Sequence, residues 1–225
     1  DILMKTLITQ REGTDKYGVP VDSLESNYIR YFSNLGCELY PVSNFISRTG
    51  YLFDLDVELL ILTGGGSLNG GFYCPVKPET DSPCRDYIEK ALFEEAIKRQ
   101  IPILAICRGM QYVNALLGGS ISVLSGLPVL RRVGEDHPVS FGEEIVYVNN
   151  YHNDGVYLNQ LATDLTPIGI DKENGVVEAF MSDAHKTLGV QFHPERNIQD
   201  YESRGFIDLL IENFIHNRTN KYSGK

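Results

Sequence analysis

Basic residues are in deficit. Twenty lysines and arginines face thirty acidic residues, a formal charge of −10 with a pI near 5. The chain therefore lacks the cationic face that non-specific binding to nucleic acid or an anionic membrane requires. Cysteine is scarce as well. Cys37, Cys74, Cys84 and Cys107 are the four in 225 residues, and none stands in C-x-x-C spacing. A disulfide scaffold and a structural zinc site are both unexpected on that count. No apolar run reaches the roughly eighteen residues that span a bilayer, and no basic-then-apolar leader is visible, so a cytoplasmic, reducing location is expected. Repeats, low-complexity stretches and Pro/Ser-rich linkers are absent from the sequence. What remains is an ordinary globular balance, 42% apolar and 22% charged, with enough material for one sizeable core. A single domain over residues 1–225 is expected.

Strand-length apolar runs alternate with helix-period stretches. Leu3–Thr9 reads as a strand, and Val21–Gly36 as a helix capped by Asp22, with Leu24, Tyr28, Phe32 and Leu35 on one face. Glu38–Val42 and Val57–Thr63 are the next strands. Ser82-Pro83 opens a helix running to about Arg99, Ile101–Ile106 is a buried strand, and Arg108–Leu117 a helix stopped by Gly118-Gly119. The second half holds more strand, at Glu144–Asn149, Leu165–Ile170, Val176–Met181 and Thr187–His193, and closes with a helix over Arg204–Asn217. This order predicts an α/β fold with a mainly parallel sheet and helices on both faces. Working groups in such sheets lie beyond the carboxyl ends of strands, which directs attention to the residues after Thr63, Ile106 and Phe192.

Cys107 follows Ile106 directly and precedes a helix, with small Ala105 and Gly109 on either side. A thiol on a tight strand-to-helix turn is exposed, and the helix N-terminus favours its thiolate. A buried core cysteine is the alternative. Of the five histidines, His193 ends an apolar strand before Pro194, with Glu195 two residues on to orient its ring. That is the pattern of a general base for a thiol. His185 and His216 read as surface residues, and His137 sits in a loop before a proline. Thr63-Gly64-Gly65-Gly66 fits neither the dinucleotide nor the nucleotide-hydrolase glycine spacing. An oxyanion hole from the Gly65 or Gly66 amide and the Arg108 amide remains, or else a plain turn.

Together LTGGG (62–66), AICRGMQ (105–111) and GVQFHPE (189–195) resemble the class I glutamine amidotransferases. The stretch 85–119, opened by Arg85-Asp86, is similar to the branch with γ-glutamyl hydrolases and γ-glutamyl-γ-aminobutyrate hydrolase. The segments LTGGGSLN, CRGMQ and HPER also resemble γ-glutamyl-CDP-amidate hydrolases. The resemblance covers roughly residues 4 to 215 and implies a flavodoxin-like three-layer sandwich. It implies Cys107 as nucleophile, His193 as base and Glu195 as orienting acid. Gln111 and the loop Asn149, Asn150, Tyr151, His152 would hold the α-amino and α-carboxylate groups of a small γ-glutamyl substrate. The sequence departs from related hydrolases where Tyr151-His152-Asn153-Asp154 lacks a His-Gln pair and where residues 128–146 are shorter, both on the leaving-group side.

With no synthetase segment after the third motif, a stand-alone hydrolase is expected ahead of a glutaminase subunit feeding ammonia to a partner, and both ahead of a non-catalytic scaffold. A nucleotide leaving group would need cations, for which Arg11, Lys77, Arg131, Arg132 and Arg196 are the candidates. Residues 70–81 form either a lid or a plain surface loop. The sequon at Asn217 is read as chance. No metal or organic cofactor is called for, and a homodimer is left open.

Overall fold

The computed structural model describes residues 3–77 and 82–217. Its strands are β1 (Met4–Thr9), β2 (Arg11–Thr14), β3 (Pro20–Ser23), β4 (Cys37–Val42), β5 (Leu59–Leu62), β6 (Ile103–Ile106), β7 (Ser122–Val123), β8 (Asp136–Phe141), β9 (Glu144–Asn149), β10 (Asp154–Gly155), β11 (Thr166–Asp171), β12 (Val176–Ser182) and β13 (Thr187–Val190). Its α-helices are α1 (Ser26–Asn34), α2 (Pro83–Arg99), α3 (Arg108–Leu116) and α4 (Tyr201–Ile215). One nine-stranded sheet runs β4-β1-β5-β6-β13-β12-β11-β8-β9. From β4 to β13 neighbours are parallel, and from β13 to β9 they are antiparallel.

The two central strands of the parallel half, β5 and β6, are apolar at every position and buried on both faces, while the edge strand β4 carries exposed residues such as Glu38. Alternate side chains sort to opposite sides, as the strand period requires. Ile8, Leu59, Ile61, Leu104 and Ile106 pack with Tyr28 and Phe32 of α1 and with Ile207, Leu210, Ile211 and Ile215 of α4. Leu7, Leu60, Leu62, Ile103 and Ala105 pack with Ile88, Leu92, Phe93 and Ala96 of α2 and with Met110 and Val113 of α3. The result is the expected three layers. Close approach of α3 to the sheet depends on Gly109, where a Cβ would collide with the backbone carbonyl of Leu62.

Three expectations need correction. The first helix does not begin at Val21. Pro20–Ser23 instead pairs antiparallel with Arg11–Thr14 across a turn in which Asp15 accepts from the Tyr17 and Val19 amides and Gly18 takes a positive φ. Asp22 is therefore no cap; it accepts from the Asn44 amide and side chain. The apolar spacing at Tyr28 and Phe32 held, and both are buried. Second, His137 lies in a strand and not a loop, buried at 4% exposure beside β9. Its Pro138 hid the strand from a reading based on breakers. Third, the strand after Thr187 ends at Val190, and the last helix starts at Tyr201, where Asp200 accepts from the Ser203 amide. Among the described residues no helix is long and apolar enough to cross a membrane. Residues 78–81 of the lid-or-loop stretch and most of the sequon lie outside the described residues. The earlier part of that stretch is held down where Tyr73 Oη donates to Asp154 Oδ2 at 2.6 Å.

Candidate active site

The carboxyl ends of β5, β6 and β13 converge on one cavity of about 320 Å³, at the lower end of small-molecule sites. Cys107 stands between β6 and α3 with φ 53° and ψ −106°. A non-glycine residue held in that region stores strain that its surroundings must maintain. The Cys107 amide donates to the Val190 carbonyl at 2.8 Å, and its carbonyl accepts from the Gln111 amide at 3.1 Å. The turn is thus clamped from β13 and from within α3, and the thiol is not exposed as the turn suggested: Cys107 is buried at 7% exposure and lines the cavity wall.

His193 faces it. A Cβ on Gly64 would lie 2.6 Å from His193 Cε1 and 3.1 Å from Cys107 Cβ, so the glycine leaves room for the pair to meet. His193 Nδ1 is 2.5 Å from Glu195 Oε1, which turns Nε2 toward the thiol side. Burial would raise the Cys107 thiol, yet the adjacent His193 charge and hydrogen bond outweigh it and bring the thiol below its ordinary value. Burial likewise works against protonated His193, but Cys107 and Glu195 push the imidazole up to about 9. Each group charges the other, and a thiolate–imidazolium pair results.

The glycine turn is set by Arg85, a side chain at 1% exposure. Its guanidinium donates to the carbonyls of Thr63 (2.9 Å), Gly64 (3.0 Å) and Gly65 (2.7 Å). A planar peptide points its N–H opposite to its carbonyl, so the amides of Gly64, Gly65 and Gly66 are turned away from Arg85. The first donates to Tyr28 Oη at 3.0 Å. Gly65 and Gly66, both at positive φ, line the cavity. Arg108 has its amide in the first turn of α3, where backbone donors have no intrahelical partner. Its buried side chain pairs with Glu89 and Asp86, and Glu89 pairs with Arg85 at 2.9 Å. One buried ionic network thereby ties the glycine turn to the cysteine turn. Burial opposes ionisation of Glu89, but the Arg108 and Arg85 charges prevail and keep it below the ordinary carboxylate value.

The remaining expected residues divide. Gln111, Tyr151 and His152 line the cavity. Gln111 Nε2 donates to the Asp154 carbonyl at 2.9 Å and to Gln191 Oε1 at 3.2 Å. Tyr151 stands edge-on to His193, with rings 5.9 Å apart, and carries the Arg196 guanidinium 4.4 Å above its face. Asn149 and Asn150 are placed elsewhere. Asn149 grips the backbone of His193, accepting from its amide at 2.9 Å and donating to its carbonyl at 2.8 Å. Asn150 is buried, donates to the Arg131 carbonyl and lines a neighbouring cavity. Both asparagines complete bonds to backbone that no linear pattern displays.

Sequence reasoning missed Tyr28, whose hydroxyl lies 3.4 Å from His193 Nδ1, and the Arg85–Glu89 anchor. The signal for the anchor was present: Arg85 and Glu89 are spaced i, i+4 on the same helix side as Ile88 and Leu92, and charge on a core face asks for a partner. Of the candidate cations, Arg11 and Arg196 line the cavity and share one carboxylate, Glu25, at 2.5 and 2.7 Å. Lys77 pairs with Asp154, and Arg131 with Asp171 and Glu173. Arg132 is exposed beside Glu135.

Comparison with known proteins places this geometry among relatives. The family model "glutamine amidotransferase class-I" matches residues 21–213. The chain is 30% identical over 200 residues to the protein NtpR of Enterococcus hirae, covering 77% of this chain and 81% of that one. It is 32% identical over 140 residues to a γ-glutamyl-CDP-amidate hydrolase of Campylobacter jejuni, 62% of this chain and 63% of that protein. The γ-glutamyl-γ-aminobutyrate hydrolase of Escherichia coli is 30% identical over 164 residues, 62% of each chain. The match thus spans under two thirds of the length of either named hydrolase. A solved glutamine amidotransferase from Thermotoga maritima superposes with a TM-score of 0.61 at 16% identity, over 95% of this chain and 97% of that one, and shares its fold.

Proposed function

The chain belongs to the class I glutamine amidotransferase family, and from that membership we propose that it hydrolyses the γ-glutamyl amide bond of a small conjugate whose leaving group is anionic. The relatives named as γ-glutamyl hydrolases support the bond cleaved. The observation that carries the leaving group is the sharing of Glu25 between Arg11 and Arg196 at the wall of the cavity holding Cys107. Arg196 also lies 3.9 Å from Glu195, but that carboxylate is taken up by His193 at 2.5 Å, so the two guanidiniums keep a surplus positive charge over Glu25, and a phosphate or carboxylate is its natural complement. Two arginines suit the paired phosphates of a γ-glutamyl nucleotide amidate better than the single carboxylate of γ-glutamyl-γ-aminobutyrate.

In this reading the Cys107 thiolate attacks the γ-carbonyl carbon, and the displaced electron pair collects on the carbonyl oxygen. The Gly65, Gly66 and Arg108 amides receive that charge. Protonated His193 gives its proton to the leaving nitrogen as the C–N bond breaks, which leaves a γ-glutamyl thioester on Cys107. Neutral His193 then takes a proton from water, the hydroxide adds to the thioester, and glutamate departs as the thiolate re-forms. Glu195 holds the ring in the orientation both halves need.

Glutamate release from a γ-glutamyl nucleotide amidate, from γ-glutamyl-γ-aminobutyrate and from glutamine tests the proposal, with Cys107→Ala as the blank. The expected order of rates follows that order of substrates, and the variant binds substrate without turning it over. Glutamine cleaved as fast as either conjugate would overturn the leaving-group assignment. Silence on all three would point instead to a glutaminase that works only beside an ammonia-using partner.

A further inference from the structure

Beside the catalytic cavity lies a second one of about 160 Å³, with His152 and Asn153 lining both. At its inner wall three metal-ligating side chains from separate parts of the chain meet: His137 from β8, His152 from the loop after β9, and Glu178 from the middle of β12. Their side chains are 4%, 5% and 2% exposed. His152 Nε2 lies 3.5 Å from Glu178 Oε1, and His137 Nε2 lies 3.7 Å from the same oxygen. All three donor atoms fall within 4.8 Å of one another. Nε2 of both histidines and Glu178 Oε2 have no hydrogen-bond partner among the described residues.

Buried polar atoms in native structures are satisfied, and a cluster of orphans needs an explanation. A protonated histidine paired with a carboxylate closes to a short, aligned bond of about 2.8 Å. Here one oxygen instead stands between two imidazoles at longer range. The spacing suits donors arranged round an ion, since bonds of about 2.0–2.2 Å in a tetrahedral shell separate donor atoms by about 3.3 Å. The outer groups are also in place. His152 Nδ1 is 2.8 Å from the Asp154 carbonyl, which fixes the tautomer that leaves Nε2 as a donor of its lone pair. His137 Nδ1 faces Asp171 Oδ2 at 3.9 Å, and Asp171 is itself held by two bonds of 2.9 Å from Arg131.

We propose that His137, His152 and Glu178 bind a divalent ion of the zinc class through two imidazole nitrogens and one carboxylate, with a fourth position open to the second cavity. Two nitrogens and one oxygen form a borderline donor set, which takes zinc or cobalt in preference to calcium or magnesium. The ion would anchor the His152–Asp154 stretch. That stretch walls the catalytic cavity and, through the Asp154 carbonyl, orients Gln111. The site is separate from the Cys107–His193 pair, and its occupancy can be read without any turnover.

The test is cobalt uptake by the chelator-treated full chain carrying Cys107→Ala, which removes the catalytic thiol as a competing ligand. One equivalent of Co²⁺ per chain is expected, with visible ligand-field bands, no sulfur-to-cobalt charge-transfer band, and displacement by Zn²⁺. Adding His137→Ala or Glu178→Gln to that background should weaken uptake at least about tenfold. Failure of the Cys107→Ala chain to take up one equivalent would overturn the site. So would uptake that is indifferent to both added substitutions. Should either added variant fold poorly, zinc-edge X-ray absorption on the Cys107→Ala chain decides the matter. Two imidazoles in an all-nitrogen/oxygen shell support the site, and a shell without imidazole refutes it.

Discussion

Replacing Arg85 by lysine keeps the buried positive charge and removes the fork. In the structure the guanidinium makes bonds to three consecutive carbonyls, to Thr63 Oγ1 at 3.1 Å and to Glu89 at 2.9 Å. An ammonium is a single point with three donors and cannot span the turn. Loss of about two such bonds, each worth about 1.5 kcal/mol or more where a charge is involved, predicts a stability loss of about 3 kcal/mol. A typical domain has about 5–15 kcal/mol in hand, so the variant should still fold. The carbonyls released are those whose peptides aim Gly65 and Gly66 at the cavity. A whole oxyanion donor is worth about 10²–10³ in rate, and a loosened pair should cost about 10–10² in kcat with little change in KM. Urea unfolding reads the first quantity, and steady-state kinetics on the best γ-glutamyl substrate reads the second. A variant that loses stability but turns over within about twofold of wild type would refute the claim that Arg85 aims the turn.

Further expectations follow from the same geometry. With the Cys107 thiol lowered and the His193 imidazole raised to about 9, the thiolate–imidazolium form occupies the window between them. The rate should therefore rise as the thiol ionises, at a pH below the ordinary thiol range, and fall as His193 loses its proton near 9. Glu195→Gln should move the alkaline limb to lower pH, and a wild-type rate still climbing through pH 9 would contradict the pairing. Asn149→Ala removes both bonds to the His193 backbone and should cost about 2 kcal/mol of stability with about a tenfold drop in kcat. Denaturation and kinetics on one preparation check it, and a normal kcat would deny Asn149 its positioning role. Two glycine substitutions should part in sign. In Gly109→Ala the new Cβ meets the Leu62 carbonyl and should cost about 3 kcal/mol. In Gly205→Ala, inside α4 with open space around it, about 0.5–1 kcal/mol should be gained. Thermal melts of both variants compare them directly.

The sequence alone determined what is local. Apolar runs in β5 and β6 marked strands buried on both faces, and Ala105 and Gly109 around Cys107 marked a turn too tight for larger neighbours. Pro194 marked the break at which His193 and Glu195 stand clear of the sheet, in the loop that follows β13. Periods, small residues and breakers act over a few positions, so a linear reading can see them. Tertiary structure decided whatever depends on partners far along the chain. Pro20–Ser23 became a strand because Arg11–Thr14 lay ready to pair with it. The buried location of His137 depends on β9, and its meeting with His152 and Glu178 on the folding of the antiparallel half. Asn149 left the expected substrate loop for the backbone of a residue 44 positions away. Arg85, whose charge on an apolar helix face asked for a partner without naming it, became the anchor of the glycine turn because three carbonyls from another strand end were buried beside it. A buried polar group must find its partner wherever the fold supplies one, and only the assembled sheet supplies it.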